Sequence, residues 1–136
     1  MLAPKKMKHR KWHKSAGTSG KIATRNNCVS FGDFGMRATT PAWISSRQIE
    51  AVRRVMVRFI RKGGKIWIRV FPFKPITVKG AEVGMGKGKG TVDYYVAPVL
   101  PGQILFEIGG IPEDKAREAL KLGGYKLKVK TKIAQK

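Results

Sequence analysis

Cysteine occurs once, at position 28, which excludes an intrachain disulfide and suits a reducing compartment. With no second thiol and no acidic cluster, a zinc site has little to build on. Acid is the next scarcity: eight Asp and Glu stand against 29 Lys and Arg, a formal charge of +21 over 136 residues. The carboxylates Asp33, Glu50, Glu82, Asp93, Glu107 and Glu118 are scattered, and only Glu113 and Asp114 adjoin, so the chain offers no acid/base couple and reads as no enzyme. No apolar run is long enough to span a bilayer, and the basic opening "MLAPKKMKHRKWHK" is not followed by the apolar core of a signal peptide. The expectation is a protein neither secreted nor membrane-spanning. Apolar residues are not scarce: 42% of the chain is hydrophobic, with three Trp, six Phe and three Tyr. That composition predicts a basic globule folded around one apolar core, whose excess charge calls for a polyanion.

Residues 1–27 carry Lys5, Lys6, Lys8, Arg10, Lys11, Lys14, Lys21 and Arg25, no acid, and the Ser/Gly-rich stretch Ser15 to Gly20. They read as a basic extension outside a single domain at 28–136. A solvated tail is the plain alternative, but Trp12 among lysines suits stacking on a base or filling a groove. "CVSFGDFGMRA" (28–38) predicts an irregular or bulged strand. "SSRQIEAVRRVMVRFIRKGG" predicts a helix, with Ser45 and Gln48 at capping-box spacing and Gly63 and Gly64 as its stop. Ile49, Val52, Met56, Phe59 and Ile60 keep the helical period of a core face. Arg47, Arg54, Arg58 and Arg61 fall opposite, opposed only by Glu50, and such a stripe of like charge favours phosphate contact over a solvated face.

"KIWIRVF" (65–71) alternates Ile66, Ile68 and Val70 with Lys65, Trp67, Arg69 and Phe71, a strand with one aliphatic and one basic-aromatic face, closed by Pro72 and Pro75. Residues 91–100 and 103–108, joined by Pro101 and Gly102, read as an antiparallel hairpin. "PEDKAREALKLGG" predicts a second helix. "YKLKVKTKI" predicts a last strand, with Lys126, Lys128, Lys130 and Lys132 as a comb on one face. The element order lacks the strict strand–helix alternation of a parallel sheet, so the class is α+β.

The run "GMGKGKGT" (84–91) invites comparison with nucleotide cradles and fails each. Gly88-Lys89 is followed by Gly90 and not Ser or Thr, so no Walker motif is present. Glycines at every second position do not make G-x-G-x-x-G, and no helix follows. His9 and His13 share i, i+4 spacing but lie in a lysine-rich tail without a base between them, which leaves no metal site to expect.

Four segments in order, "RQIEAVRRVM", "GKIWIRVFPFKPIT", "MGKGKGTVDYYVAPVLPGQILFEIGG" and "AREALKL", resemble the bacterial and organellar large-subunit ribosomal protein sixteen family, and the N-terminal segment and "VSFGDFG" match its opening. The resemblance covers essentially the whole chain. It implies an α+β two-layer sandwich of a mainly antiparallel sheet with two helices, a basic N-terminal extension and a Gly/Lys-rich loop at 80–90. It further implies binding to 23S-type ribosomal RNA near the peptidyl transferase centre, contact with A-site and in second place P-site transfer RNA, and late subunit assembly. Neighbouring ribosomal proteins are the other partners; no cofactor, membrane or homo-oligomer is implied, and the location is the large subunit of a cytoplasmic or organellar ribosome. Carried onto this sequence, the rRNA surface comprises Lys5, Lys6, Lys8, Arg10, Lys11, Trp12, Lys14, Arg25, Arg47, Arg54, Arg58, Arg61, Lys65, Arg69, Lys74, Lys126, Lys128 and Lys130. Met85, Gly86, Lys87, Gly88, Lys89 and Gly90 form the functional-centre loop, where glycines let backbone approach backbone and lysines bring point charges to phosphate. The chain departs from the family pattern at Gly84, where arginine is common and hydroxylated in some members, at Phe73, often aspartate, and at Lys128, often proline. An RNA-binding or RNA-chaperone module outside the ribosome fits the charge alone equally well.

Overall fold

A computed structural model describes residues 1–14, 20–61 and 63–136. The Ser/Gly-rich stretch expected at 15–20 therefore lies, except for Gly20, outside the described residues. The elements run β1 (Phe34–Ala38), β2 (Ala42–Ser45), α1 (Ser46–Ile60), β3 (Lys65–Ile68), β4 (Lys74–Val78), β5 (Thr91–Val99), β6 (Ile104–Gly109), α2 (Glu113–Gly124) and β7 (Thr131–Gln135). The class is α+β, as expected, and its strands divide into two antiparallel sheets, ordered β3-β6-β1-β7 and β2-β5-β4. Among the described residues no helix is long and apolar enough to cross a membrane.

Helix α1 forms where local signals agree. Ser45 Oγ accepts the Gln48 N–H at 3.3 Å and Gln48 Oε1 accepts the Ser45 N–H at 3.0 Å, closing the capping box. Ile49, Val52 and Met56 are buried, and Phe59 and Ile60 pack against the same core. The helix ends before the expected glycines: Arg61 itself adopts a left-handed φ of 55° and donates its N–H to Val57 O. Ser45→Ala is expected to cost about 1 kcal/mol, read in calorimetry as a melting point lower by about 3 to 5 °C.

The two helices pack on each other, with α2 also on β1, β6 and β7. Strand β6 is central in its sheet and buried along its whole length, Ile104, Leu105, Phe106 and Ile108 supplying the middle of the core. Glu107 lies in the same buried run with no exposed surface.

The expected hairpin is not one. β5 pairs with β2 and β4, whereas β6 pairs with β1 and β3. At the turn Gly102, with φ of 92°, donates its N–H to Ala38 O, and Gln103 O accepts the Ala38 N–H, so the chain passes from one sheet to the other. Pro75 does not end a strand but sits inside β4, an edge strand, where a missing ladder donor is tolerated. "KIWIRVF" is regular only through Ile68. "YKLKVKTKI" is strand only from Thr131, because Tyr125, Lys126 and Leu127 close turns onto Lys121 O, Gly123 O and Gly124 O. Its alternation survives as burial: Val129 is buried and Leu127 packs on the core, while Lys126, Lys128, Lys130 and Lys132 are exposed.

Candidate nucleic-acid interface

Helix α1 turns Arg47, Arg54, Arg58 and Arg61 to solvent, each exposed. Glu50 is the one acid among them. It is held at about 2, far below its ordinary range, first by the Arg53 hydrogen bond, against some desolvation, and then by Arg54 at 3.1 Å. Among the described residues no carboxylate pairs with Arg47, Arg58 or Arg61. The turn following α2 brings Lys126 and Lys128 of the lysine comb to this face. Arg47 and Lys128 line one cavity of about 470 Å³ with Trp43 and Tyr94, and Arg58, Arg61 and Lys126 line another. Parts of two cationic motifs some 70 residues of sequence apart thus share one surface, while Lys130 and Lys132 line a separate cavity with Arg117. Nothing in either motif alone signals that they meet.

The glycine–lysine run joins β4 to β5 and is exposed from Ala81 to Lys89, with Met85 entirely so. Gly86 and Gly88 take φ of 99° and 91° around Lys87 at 54°, a left-handed sequence that glycine adopts without penalty. Lys79 Nζ donates to Gly86 O at 2.6 Å. Lys11 Nζ donates to Lys89 O at 3.0 Å, and Lys89 Nζ donates to Trp12 O at 2.5 Å, a reciprocal clasp between tail and loop.

The N-terminal segment is therefore not detached from the body. Trp12 does not stand free for a base: its ring packs 5.8 Å from Phe73, and its Nε1 donates to His9 O at 3.2 Å. Leu2 packs against the core, and Ala23 is buried, its N–H donated to Pro101 O at 2.9 Å. Lys5, Lys6, Lys8, Arg10, Lys11, Lys14 and Arg25 are exposed.

Two residues expected at the RNA surface are turned away from the open face. Lys74 is buried, its ammonium 4.3 Å from the Trp43 ring centroid, which removes it from the open basic surface. Arg69 turns inward to Glu107 and also donates to Asn26 Oδ1 at 2.7 Å. Glu107 accepts the N–H groups of Ser30 at 3.1 Å, Phe31 at 2.6 Å and Gly32 at 2.8 Å. Burial, the largest single influence, would raise its pKa, but the four donors together outweigh it and hold the carboxyl below its ordinary value. Gly32 is required here, since a Cβ would lie 2.5 Å from Ile108 O.

This carboxylate fixes a cation–aromatic column that sequence reading only half anticipated. Lys65 Nζ lies 5.4 Å from the Trp67 ring, Trp67 stacks on Phe31 at 6.3 Å and 19°, and the Arg69 guanidinium lies 4.9 Å from the Phe31 ring. The alternation of "KIWIR" places Lys65, Trp67 and Arg69 together; Phe31 and Glu107 carry no local signal.

Broad unpaired positive charge on a rigid α+β body, with aromatic rings at its surface, defines a nucleic-acid-binding protein. Residues 4–134 match the family described as Ribosomal protein L16p/L10e, and the chain belongs to that family. It is 53% identical over 133 residues to the large ribosomal subunit protein uL16c of Porphyra purpurea, covering 98% of this chain and 94% of that one. It is thus a ribosomal protein of the large subunit, in a family of structural constituents and not of enzymes.

Proposed function

We propose that the chain binds 23S-type ribosomal RNA near the peptidyl transferase centre through its arginine stripe, lysine comb and basic tail. The loop Met85–Gly90 contacts and helps to position A-site transfer RNA, with the P-site transfer RNA as its second contact, and the protein joins the subunit late in assembly. The observation that carries this reading is the form of the loop. It projects from paired strands, is exposed from Met85 to Lys89, and is held in shape by Lys79 and by the clasp with the tail. A slack linker would have none of these supports. Lys87, at the tip, has no partner among the described residues and offers its whole charge to phosphate.

Replacing Lys87 and Lys89 together with Ala is expected to leave folding within about 0.5 kcal/mol of wild type, because both residues are exposed and the one hydrogen bond lost, from Lys89 Nζ to Trp12 O, lies at the surface. Each lost lysine removes on the order of 1 kcal/mol at the RNA, so A-site transfer RNA affinity should fall about thirtyfold in subunits with full occupancy of the variant. Unchanged transfer RNA binding at full occupancy would reduce the loop to a connector.

A further inference from the structure

The cation–aromatic column points to a more specific contact. We infer that the exposed surface of Phe31, stepped against Trp67, is a stacking platform for one unpaired base of the ribosomal RNA. This rests on the RNA-binding reading above and adds to it the class of element bound. Phe31 is 60% exposed, yet its backbone is anchored to a buried side chain. Its N–H and those of both neighbours end on the buried Glu107 carboxylate, and Gly32 closes against Ile108 with no room for a side chain. A large apolar ring is therefore held rigidly in water by the core, a cost that burial of the ring in a complex would offset.

The geometry of the column favours a base. Near-parallel rings 6.3 Å apart are offset, so they form a step whose open part has the flat shape and π-face of a nucleobase. Arg69, fastened by Glu107 and Asn26, holds its guanidinium 4.9 Å from the Phe31 ring centroid and so keeps the ring in place. Lys65, exposed at the far end beyond Trp67, is free of carboxylates and suits the phosphate of a stacked nucleotide. The acids nearby are already engaged: Glu107 is buried, and Asp33 accepts the Gly110 N–H at 3.3 Å. An acidic or cationic protein partner would find less to match here than a nucleotide, whose aromatic base and phosphate meet an aromatic step and a lysine.

The test uses the full chain and two probes of equal phosphate number, a hexaadenylate ribo-oligomer and its abasic analogue, at one salt concentration. Wild type should bind the base-bearing oligomer about tenfold more tightly. Phe31→Leu, which keeps the apolar volume and loses the π-face, should bring the two probes within about twofold, while Phe31→Tyr keeps the preference and abasic binding stays constant in all three. A Phe31→Leu protein that retains the preference, or a wild type that shows none, overturns the platform. Failure of wild type to bind the abasic probe would instead strike at the general electrostatic reading. In reconstituted large subunits, a benzophenone side chain introduced at position 31 should crosslink to an unpaired nucleotide of ribosomal RNA; a crosslink to another protein overturns the inference.

Discussion

Glu107→Gln is expected to destabilise the free protein by about 3 to 5 kcal/mol, the largest effect of any single polar substitution in the chain. The side chain is wholly buried and gathers three backbone N–H groups and the Arg69 guanidinium. A glutamine of the same shape leaves Arg69 with an uncompensated charge and points its own amide hydrogens at donors. Urea unfolding at neutral pH would measure the loss, and equal midpoints for variant and wild type would refute the role given to Glu107. Replacing Arg69 by Met in the same chain should recover part of it, since removing both ions is milder than stranding one. The pH dependence follows in sign. The folded-state pKa of Glu107 lies below its ordinary value of 4.5, so its contribution is complete above that value and disappears as pH falls through the folded-state pKa. Wild type should therefore lose stability below about pH 4.5 more steeply than Glu107→Gln, and the two curves should converge in acid. Glu50, also depressed, titrates in the same direction in both proteins and on a solvated helix face, so it does not separate them.

The second large effect is in RNA binding. If about eight phosphates are neutralised, a plot of log affinity for a large-subunit ribosomal RNA fragment against log salt should have a slope near −6 to −7, and affinity should fall about ten-thousandfold between 50 and 200 mM. The structure supplies more than enough exposed cations for that number, since the stripe, the comb and the tail are all at the surface. A slope near zero would leave the +21 charge without the partner assigned to it. Arg54 should contribute less to the slope than Arg58, because Glu50 already neutralises it in part.

The parts of this architecture readable in the sequence are those decided within a few residues. The Ser45–Gln48 box and the period of Ile49, Val52 and Met56 define α1 without outside help. Strand partnership is a different kind of fact. Residues 91–108 look like a hairpin because Pro101 and Gly102 make a turn, but past that turn the chain exchanges hydrogen bonds with Ala38, more than 60 residues earlier, its N–H donated to Gln103 O and its carbonyl accepting from Gly102. Strand β4 escaped notice because Pro72 and Pro75 read as the close of the preceding strand, and only an edge position makes Pro75 compatible with a ladder. In "YKLKVKTKI" the alternation reports which side chains are buried, and turns can satisfy it as well as a strand. At the candidate site, charge made the arginines and lysines legible, whereas Phe31 and Glu107, 76 residues apart, form a unit only through the fold.

The lysine clasp has a consequence for where conformational entropy is lost. Lys11 and Lys89 stand 78 residues apart and tie directly to each other two segments whose other anchors, Trp12 on Phe73 and Lys79 on Gly86, hold each of them separately. Their freedom is surrendered when the chain folds, so RNA arriving at the loop meets one ordered body and its contact energy is not consumed in arranging the parts. Loss of Lys11 would return that ordering cost to the docking step, and binding at the loop would weaken although every loop residue remained in place.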